Sequence, residues 1–162
     1  QSLKQIFKQN QNYVGIAPGA GEKNKIWPIQ NYIAICRYLE TKDCKLVFYL
    51  GPNEKEYEEV LKSNFKKAIF LENELLLSNY SNIEIIMAST KFLKFAISND
   101  SGASHMLSTN YCPLIKLFGP KDSVKFTPKL KNLITVSSSE LNSDKIEDIS
   151  ISRVIKAIED LD

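Results

Sequence analysis

The sequence predicts an α/β protein whose core is a Rossmann-like, doubly wound and mainly parallel sheet of about six strands. Three observations carry that prediction. Short apolar runs rich in β-branched and aromatic residues recur along the chain, segments with helical periodicity separate most of them, and several stop directly on glycine, proline or a polar turn. Strands covered on both faces read as unbroken apolar runs, and parallel neighbours need a crossover between them, usually a helix.

The first strand is "YVGIA" (13–17), ended by Pro18-Gly19. A helix follows, with Pro28 suited to its first position and Tyr32, Ile35, Cys36 and Leu39 spaced along one face. "KLVFYL" (45–50) is the second strand, closed by Gly51-Pro52, and 53–64 reads as a helix capped by Asn53 with acids in its first turn. "KAIFL" (67–71) is the third strand, and a helix over 81–90 takes Ser81 or Asn82 as its cap. "KFAIS" (94–98) is the fourth strand; "GASHMLSTN" (102–110) can form a short helix; "LIKLF" (114–118) is the fifth strand and "NLITV" (132–136) the sixth. The segment 151–161 closes the chain as an amphipathic helix with Val154, Ile155, Ile158 and Leu161 on one side.

A chain of 162 residues fits one domain and is long enough to bury roughly 70% of its unfolded surface. A formal net charge of +2 gives no strong pull toward nucleic acid, and with Arg37 and Arg153 as its two arginines the chain has few forks for reading bases. Cys36, Cys44 and Cys112 are odd in number and form no C-x-x-C or Cys/His cluster. That pattern argues against a disulfide framework or a zinc site and fits a reducing, cytoplasmic setting. No apolar run approaches the ~20 residues that span a bilayer, and "QSLKQIFKQNQN" lacks the apolar core of a signal peptide.

In doubly wound sheets ligands bind beyond the carboxyl ends of the strands, and three unusual loops fall there. In "PGAGEKNKIWP" (18–28), Gly19, Ala20 and Gly21 let backbone approach a ligand, and glycine tolerates positive φ. Lys23 and Lys25 add charge ahead of a helix start, as a phosphate requires. A plain strand-to-helix turn with solvated lysines accounts for the same residues. The G-K-[ST] ending of a P-loop is absent. Trp27 reads as an aromatic lid over the following helix, with stacking on a ligand as the alternative. Glu54, in "GPNEKE" (51–56), is an acid at a strand end, placed to meet ribose hydroxyls or simply to favour the first turn of a helix. The loop 118–129, with Lys121, Lys125 and Lys129, reads as solvated or as lining the same cleft.

The third loop, "NDSGASH" (99–105), holds the single histidine. Ser101 and the amides near Gly102 and Ala103 can hold a phosphate, since a helix starting at Gly102 leaves its first N–H groups unpaired. Asp100 can cap that helix, accept from its amides or orient a ligand hydroxyl. His105, near a helix start that disfavours its cationic form, is expected to be a neutral donor to a phosphate or a buried, hydrogen-bonded ring. A nucleophile elbow is excluded because Ser101 lacks the glycine two residues before it, and one histidine without clustered acids or thiols makes no metal site.

Taken in order, "PGA", "KIWP" (25–28), "GPNE" (51–54), "NDSGASH" (99–105) and "LFGP" (117–120) resemble the carboxyl-terminal domain of glycosyltransferase family 9, the ADP-heptose:lipopolysaccharide heptosyltransferases, over about residues 13–128. The resemblance implies one half of a GT-B fold, two Rossmann-like domains facing across a cleft, with this half binding the nucleotide-sugar donor. It implies that Lys25 contacts the donor phosphate, with Gly19 and Ala20 bringing backbone to it. Asp100, Ser101, Gly102 and His105 would hold the diphosphate and sugar side, and Glu54 the ribose. It implies an inverting, metal-independent transfer of a sugar, a heptose above all, to a lipopolysaccharide-type acceptor, without a resident cofactor. The general base would come from an amino-terminal acceptor domain outside these 162 residues, so this piece alone is expected to be inactive, cytoplasmic or peripheral at the inner membrane through the longer protein. Two positions depart from the family pattern: Ile26 stands where a basic residue is common, and "MLSTNYCP" follows His105 where small alanines are common. Two other readings share the fold: a non-catalytic nucleotide-binding or interaction module, and a GT-B sugar-nucleotide epimerase.

Overall fold

The computed structural model describes residues 2–119 and 132–161. Six strands form one sheet: β1 (Asn12–Ala17), β2 (Cys44–Phe48), β3 (Ile69–Phe70), β4 (Leu93–Asn99), β5 (Leu114–Phe118) and β6 (Leu133–Ser137). Their order is β3-β2-β1-β4-β5-β6 and every neighbouring pair is parallel. The order reverses between β1 and β4, so the connections leaving these two strands diverge and open a crevice at their carboxyl ends.

Alternation along the strands sends side chains to two separate cores. Val14, Ile16, Leu46, Phe48, Phe95, Ile97, Ile115 and Leu117 pack on one face. That face is covered by α2 (Ile29–Thr41), α3 (Lys55–Asn64) and the closing helix, which contribute Tyr32, Leu39, Leu61, Val154 and Ile158. Tyr13, Ala17, Val47, Tyr49, Ala96 and Leu114 point the other way. There α1 (Ser2–Ile6), α4 (Asn82–Ser89) and α5 (Gly102–Leu107) cover them with Leu3, Ile6, Ile85 and Leu107. The closing helix, α6 (Ile151–Glu159), buries Val154, Ala157 and Ile158 and keeps Ile155 half-buried, while Leu161, expected within it, lies half-buried just beyond its end.

Several boundaries move, each for a local reason. Pro28 is the N-cap of α2 rather than its first residue: its ψ of 134° is extended, and its carbonyl already accepts from Asn31 and Tyr32. Asn53 does not cap α3; Glu54 occupies the N-cap and turns its carboxylate back onto the Gly51 amide. The second strand ends at Phe48, although the Tyr49 amide still donates to the Ile16 carbonyl of β1 at 2.9 Å. The third keeps two residues because the chain enters a 3-10 turn at Leu71. The helix after the fourth strand stops at Leu107, ahead of a kinked 3-10 turn whose Asn110 is left-handed. Ser81 caps α4 in a capping box with Glu84. The short helix α1 is an addition to the sequence reading. Residues 120–131, and with them Lys121, Lys125 and Lys129, lie outside the described residues.

Gly15 sits in β1 between Val47 and Ala96. A Cβ there would come within 2.8 Å of Leu93, 3.0 Å of the Tyr49 ring and 3.2 Å of Ala96. Gly15→Ala is therefore expected to lower unfolding stability by about 1–3 kcal/mol through overpacking. Urea denaturation checks this; an unchanged midpoint would mean that the Leu93 side chain yields without cost.

Candidate functional site

A cavity of about 300 Å³ opens at the crevice between the carboxyl ends of β1 and β4. Gly19, Ala20 and Gly21 line it from the loop after β1, Gly51, Asn53 and Glu54 from the loop after β2, and Ser101, Gly102 and Ala103 from the start of α5. Tyr49, Leu50, Leu71, Ile85, Ile86 and Met106 form its apolar part, with Glu72 and Asn82 beside them. Not all of the residues expected to bind a ligand reach this cavity. Gly19, Ala20, Glu54, Ser101 and Gly102 line it; Lys25, Asp100 and His105 stand outside its lining.

The loop after β1 is held by Asn99, the last residue of β4. Its Oδ1 accepts from the Tyr32 hydroxyl at 2.8 Å and the Trp27 amide at 3.2 Å. Its Nδ2 donates to the carbonyls of Pro18 at 2.7 Å and Gly19 at 3.4 Å. Trp27 is fully buried, edge-on to Tyr32, and its indole donates to the Ile149 carbonyl at 2.9 Å. The lid-like packing of Trp27 is borne out, and a ring in that position has no face left for a ligand.

None of the described glycines has a positive φ, so their service here is space rather than unusual backbone. A Cβ on Gly19 would collide with the Glu54 carboxylate, and one on Gly51 would meet the same group at 2.6 Å. Glu54 therefore lies flat across two glycine backbones. A Cβ on Gly21 or Gly102 would meet nothing within 4 Å, so protein packing does not require glycine at either position, and both leave backbone open to an approaching molecule. Ser101 is the N-cap of α5, a place read as open to Asp100. Its Oγ is shielded from solvent and faces the Ser104 amide in a capping box, yet it makes no bond of full hydrogen-bond geometry, and such groups call for a partner of some kind.

Asp100 instead spends its carboxylate on lysines: Oδ1 lies 3.1 Å from Lys116 Nζ, and Oδ2 lies 4.0 Å from Lys25 Nζ. Lys25 also pairs with Glu22 at 3.0 Å. His105 is exposed on α5, which corrects its reading as a buried ring. Glu72 accepts from the Leu50 amide, and burial raises its carboxyl above the usual carboxylate range against the lowering pull of amides. Among the described residues no group of three His, Cys, Asp or Glu could hold a metal ion. No helix among them is long and apolar enough to cross a membrane. The three cysteines are buried and form no disulfide, and burial pushes the Cys112 thiol up to about 12.

Asn99, Lys116 and Glu72 were not singled out in the sequence. Asn99 and Lys116 stand inside strand runs as ordinary punctuation and charge, and only the fold brings them to the rim. Asn99 was at least flagged by its motif; for Lys116 the available signal was a cation in the middle of an apolar strand.

A model of glycosyltransferase family 9 (heptosyltransferase) matches residues 1–153. The chain is 26% identical over 165 aligned positions to lipopolysaccharide heptosyltransferase 1 of Campylobacter coli, covering 95% of this chain and 48% of that protein. A family 9 glycosyl transferase from Veillonella parvula superposes with a TM-score of 0.79 at 19% identity, over 97% of this chain and 48% of the other. An E. coli heptosyltransferase solved with ADP does so with a TM-score of 0.79 at 20% identity, over 98% and 48%. The chain thus spans about half the length of the relatives it matches.

Two outcomes follow from the site's geometry. Asn99→Ala would strip the buried Tyr32 hydroxyl and Trp27 amide of their acceptor and cost roughly 2–4 kcal/mol, read by chemical denaturation; a loss below ~1 kcal/mol would show the loop held by other contacts. Glu72, an acid whose folded pKa is raised, contributes stability that is present below its unfolded pKa and lost as pH rises through the folded one. Melting temperatures from roughly pH 4 to pH 8 should fall more for the wild type than for Glu72→Gln; parallel curves would contradict the burial.

Proposed function

The chain belongs to glycosyltransferase family 9, and we propose that it is the donor-binding half of an inverting transferase of the GT-B type. In this reading it holds ADP-heptose while the sugar passes to a lipopolysaccharide-type acceptor. The observation that carries the reading is the convergence of three ligand-ready loops on one cavity at the reversal point of the sheet. The nature of the ligand draws support from the Campylobacter coli relative's name and from the E. coli neighbour's complex with ADP.

The chemistry assigned to each group follows from what it can offer. The open backbone at Gly21 and Gly102, the Ser101 hydroxyl and the amides beginning α5 are donors for diphosphate oxygens. Lys25 adds positive charge at the same rim, and Lys23 begins the same 3-10 turn. Gly19 and Ala20 bring the β1 loop up to the phosphates. Glu54 meets the ribose hydroxyls from the β2 side, and the apolar wall from Leu71 to Met106 takes the base. Asp100 and His105 face the sugar. In the transfer, an acceptor hydroxyl forms a bond to the anomeric carbon from the side opposite the diphosphate. The bond to the diphosphate breaks, and the acceptor proton leaves to a base. The charge that grows on the departing diphosphate is met by Lys25 and the amides, fixed before the reaction starts. This reading calls for no metal and no resident cofactor. The base, the acceptor site and the partner domain belong to a preceding domain outside these 162 residues, and the longer protein would work in the cytoplasm, at the inner face of the membrane that carries its acceptor.

Calorimetry with ADP, UDP and GDP tests the reading. ADP is expected to bind in preference to the others, and Lys25→Ala to weaken it by about tenfold, equivalent to ~1.4 kcal/mol. A folded sample that binds none of the three would overturn it in favour of an interaction module that shares the fold.

A further inference from the structure

Lys116, in the middle of β5, has no part in the reading above. Its side chain is 3% exposed, and it is the charged residue among the buried polar residues described. Burying an ammonium costs several kcal/mol even after relaxation. Two contacts offset this: Asp100 Oδ1 at 3.1 Å and the face of the Phe118 ring, whose centroid is 5.0 Å from Nζ. A methionine would fill a similar volume without the desolvation cost, so packing within the sheet does not call for the charge. Its effect is felt at Asp100, which immediately precedes the cavity-lining Ser101 and turns its second oxygen toward Lys25.

We infer that Lys116 is a positioning residue of the donor site: from inside the sheet it pins the Asp100 carboxylate and cancels its charge beside the place where the diphosphate binds. The inference rests on the reading of the cavity as a diphosphate site. Lys116 is the nearer of the two lysines placed against Asp100, at 3.1 Å compared with 4.0 Å for Lys25. With Lys116 neutral, the Asp100 carboxylate loses its nearest compensating charge at a rim that must receive an anion. Asp100, released on its inner side, can then swing toward Lys25 and compete with the diphosphate for it. The buried lysine thus acts on the ligand through Asp100 without touching it.

The test is calorimetry on the whole chain with ADP and inorganic pyrophosphate, comparing the wild type with Lys116→Met. Weakening of both probes by about tenfold supports the inference, provided that adding Asp100→Asn to Lys116→Met, which removes the released carboxylate, restores most of the pyrophosphate affinity. Equal affinity of wild type and variant overturns the inference and leaves the donor site standing. A deficit that Asp100→Asn does not relieve overturns it in favour of a packing role. A wild type that binds neither probe removes the diphosphate site and the inference with it. Should Lys116→Met not fold, the wild type answers by NMR: the Lys116 Hζ–Nζ resonance is expected to shift on saturation with ADP, and an unmoved resonance overturns the inference.

Discussion

The architecture of the rim depends on the side-chain amide of Asn99. It is fully buried, and both ends are satisfied, with two donors on its oxygen and two carbonyls on its nitrogen. Those partners belong to the end of β1, to the entrance of α2 and to α2 itself, while Asn99 belongs to β4. One planar group therefore ties the loop that leaves β1 and the start of α2 to the end of β4. In a low-dielectric setting such a network is rigid when complete and costly when broken. Trp27 extends the tie through its indole to Ile149, just before α6, so the rim is anchored to the last packed element.

Around that frame the charges are sorted. Carboxylates of Glu54 and Glu72 sit on the β2 and β3 side of the cavity, while Lys25 and Lys116 sit with Asp100 beyond β4. Open glycine backbone and the start of α5 lie between. An elongated ligand with hydrogen-bond donors at one end and an anion in its middle matches this order better than a uniformly charged one. The glycines contribute through clearance: two of them accommodate the Glu54 carboxylate and two leave room where protein atoms are absent.

Much of this was legible in the residues. Continuous apolar runs identified all six strands, and their alternation with helical periodicity identified the parallel, doubly wound sheet. The ends of elements were less visible, because they are set by tertiary hydrogen bonds. Glu54 turning onto Gly51 displaced Asn53 as a cap, and the Leu50 amide turned to the Glu72 carboxylate where Tyr49 and Leu50 wall the cavity. At the rim, glycines and Ser101 were readable from loop chemistry. Asp100 was read as a cap or a ligand for hydroxyls because its strongest partner, Lys116, comes from the next strand, sixteen residues on. His105 was readable as a helix-start residue but not in its exposure, which depends on the angle at which α5 packs. Separation along the chain, more than the chemistry of the residue, decided what could be read.

The cysteines described above have a consequence for the redox behaviour of the domain. All three thiols lie within packed layers, and those of Cys36 and Cys112 are held protonated by burial. Thiolate is the reactive form, so oxidants and alkylating agents in the surrounding solvent find no competent sulfur at Cys36 or Cys112 while the layers stay closed. Chemical attack must wait for a breathing motion that parts helix from sheet, and the interior is in this sense its own antioxidant.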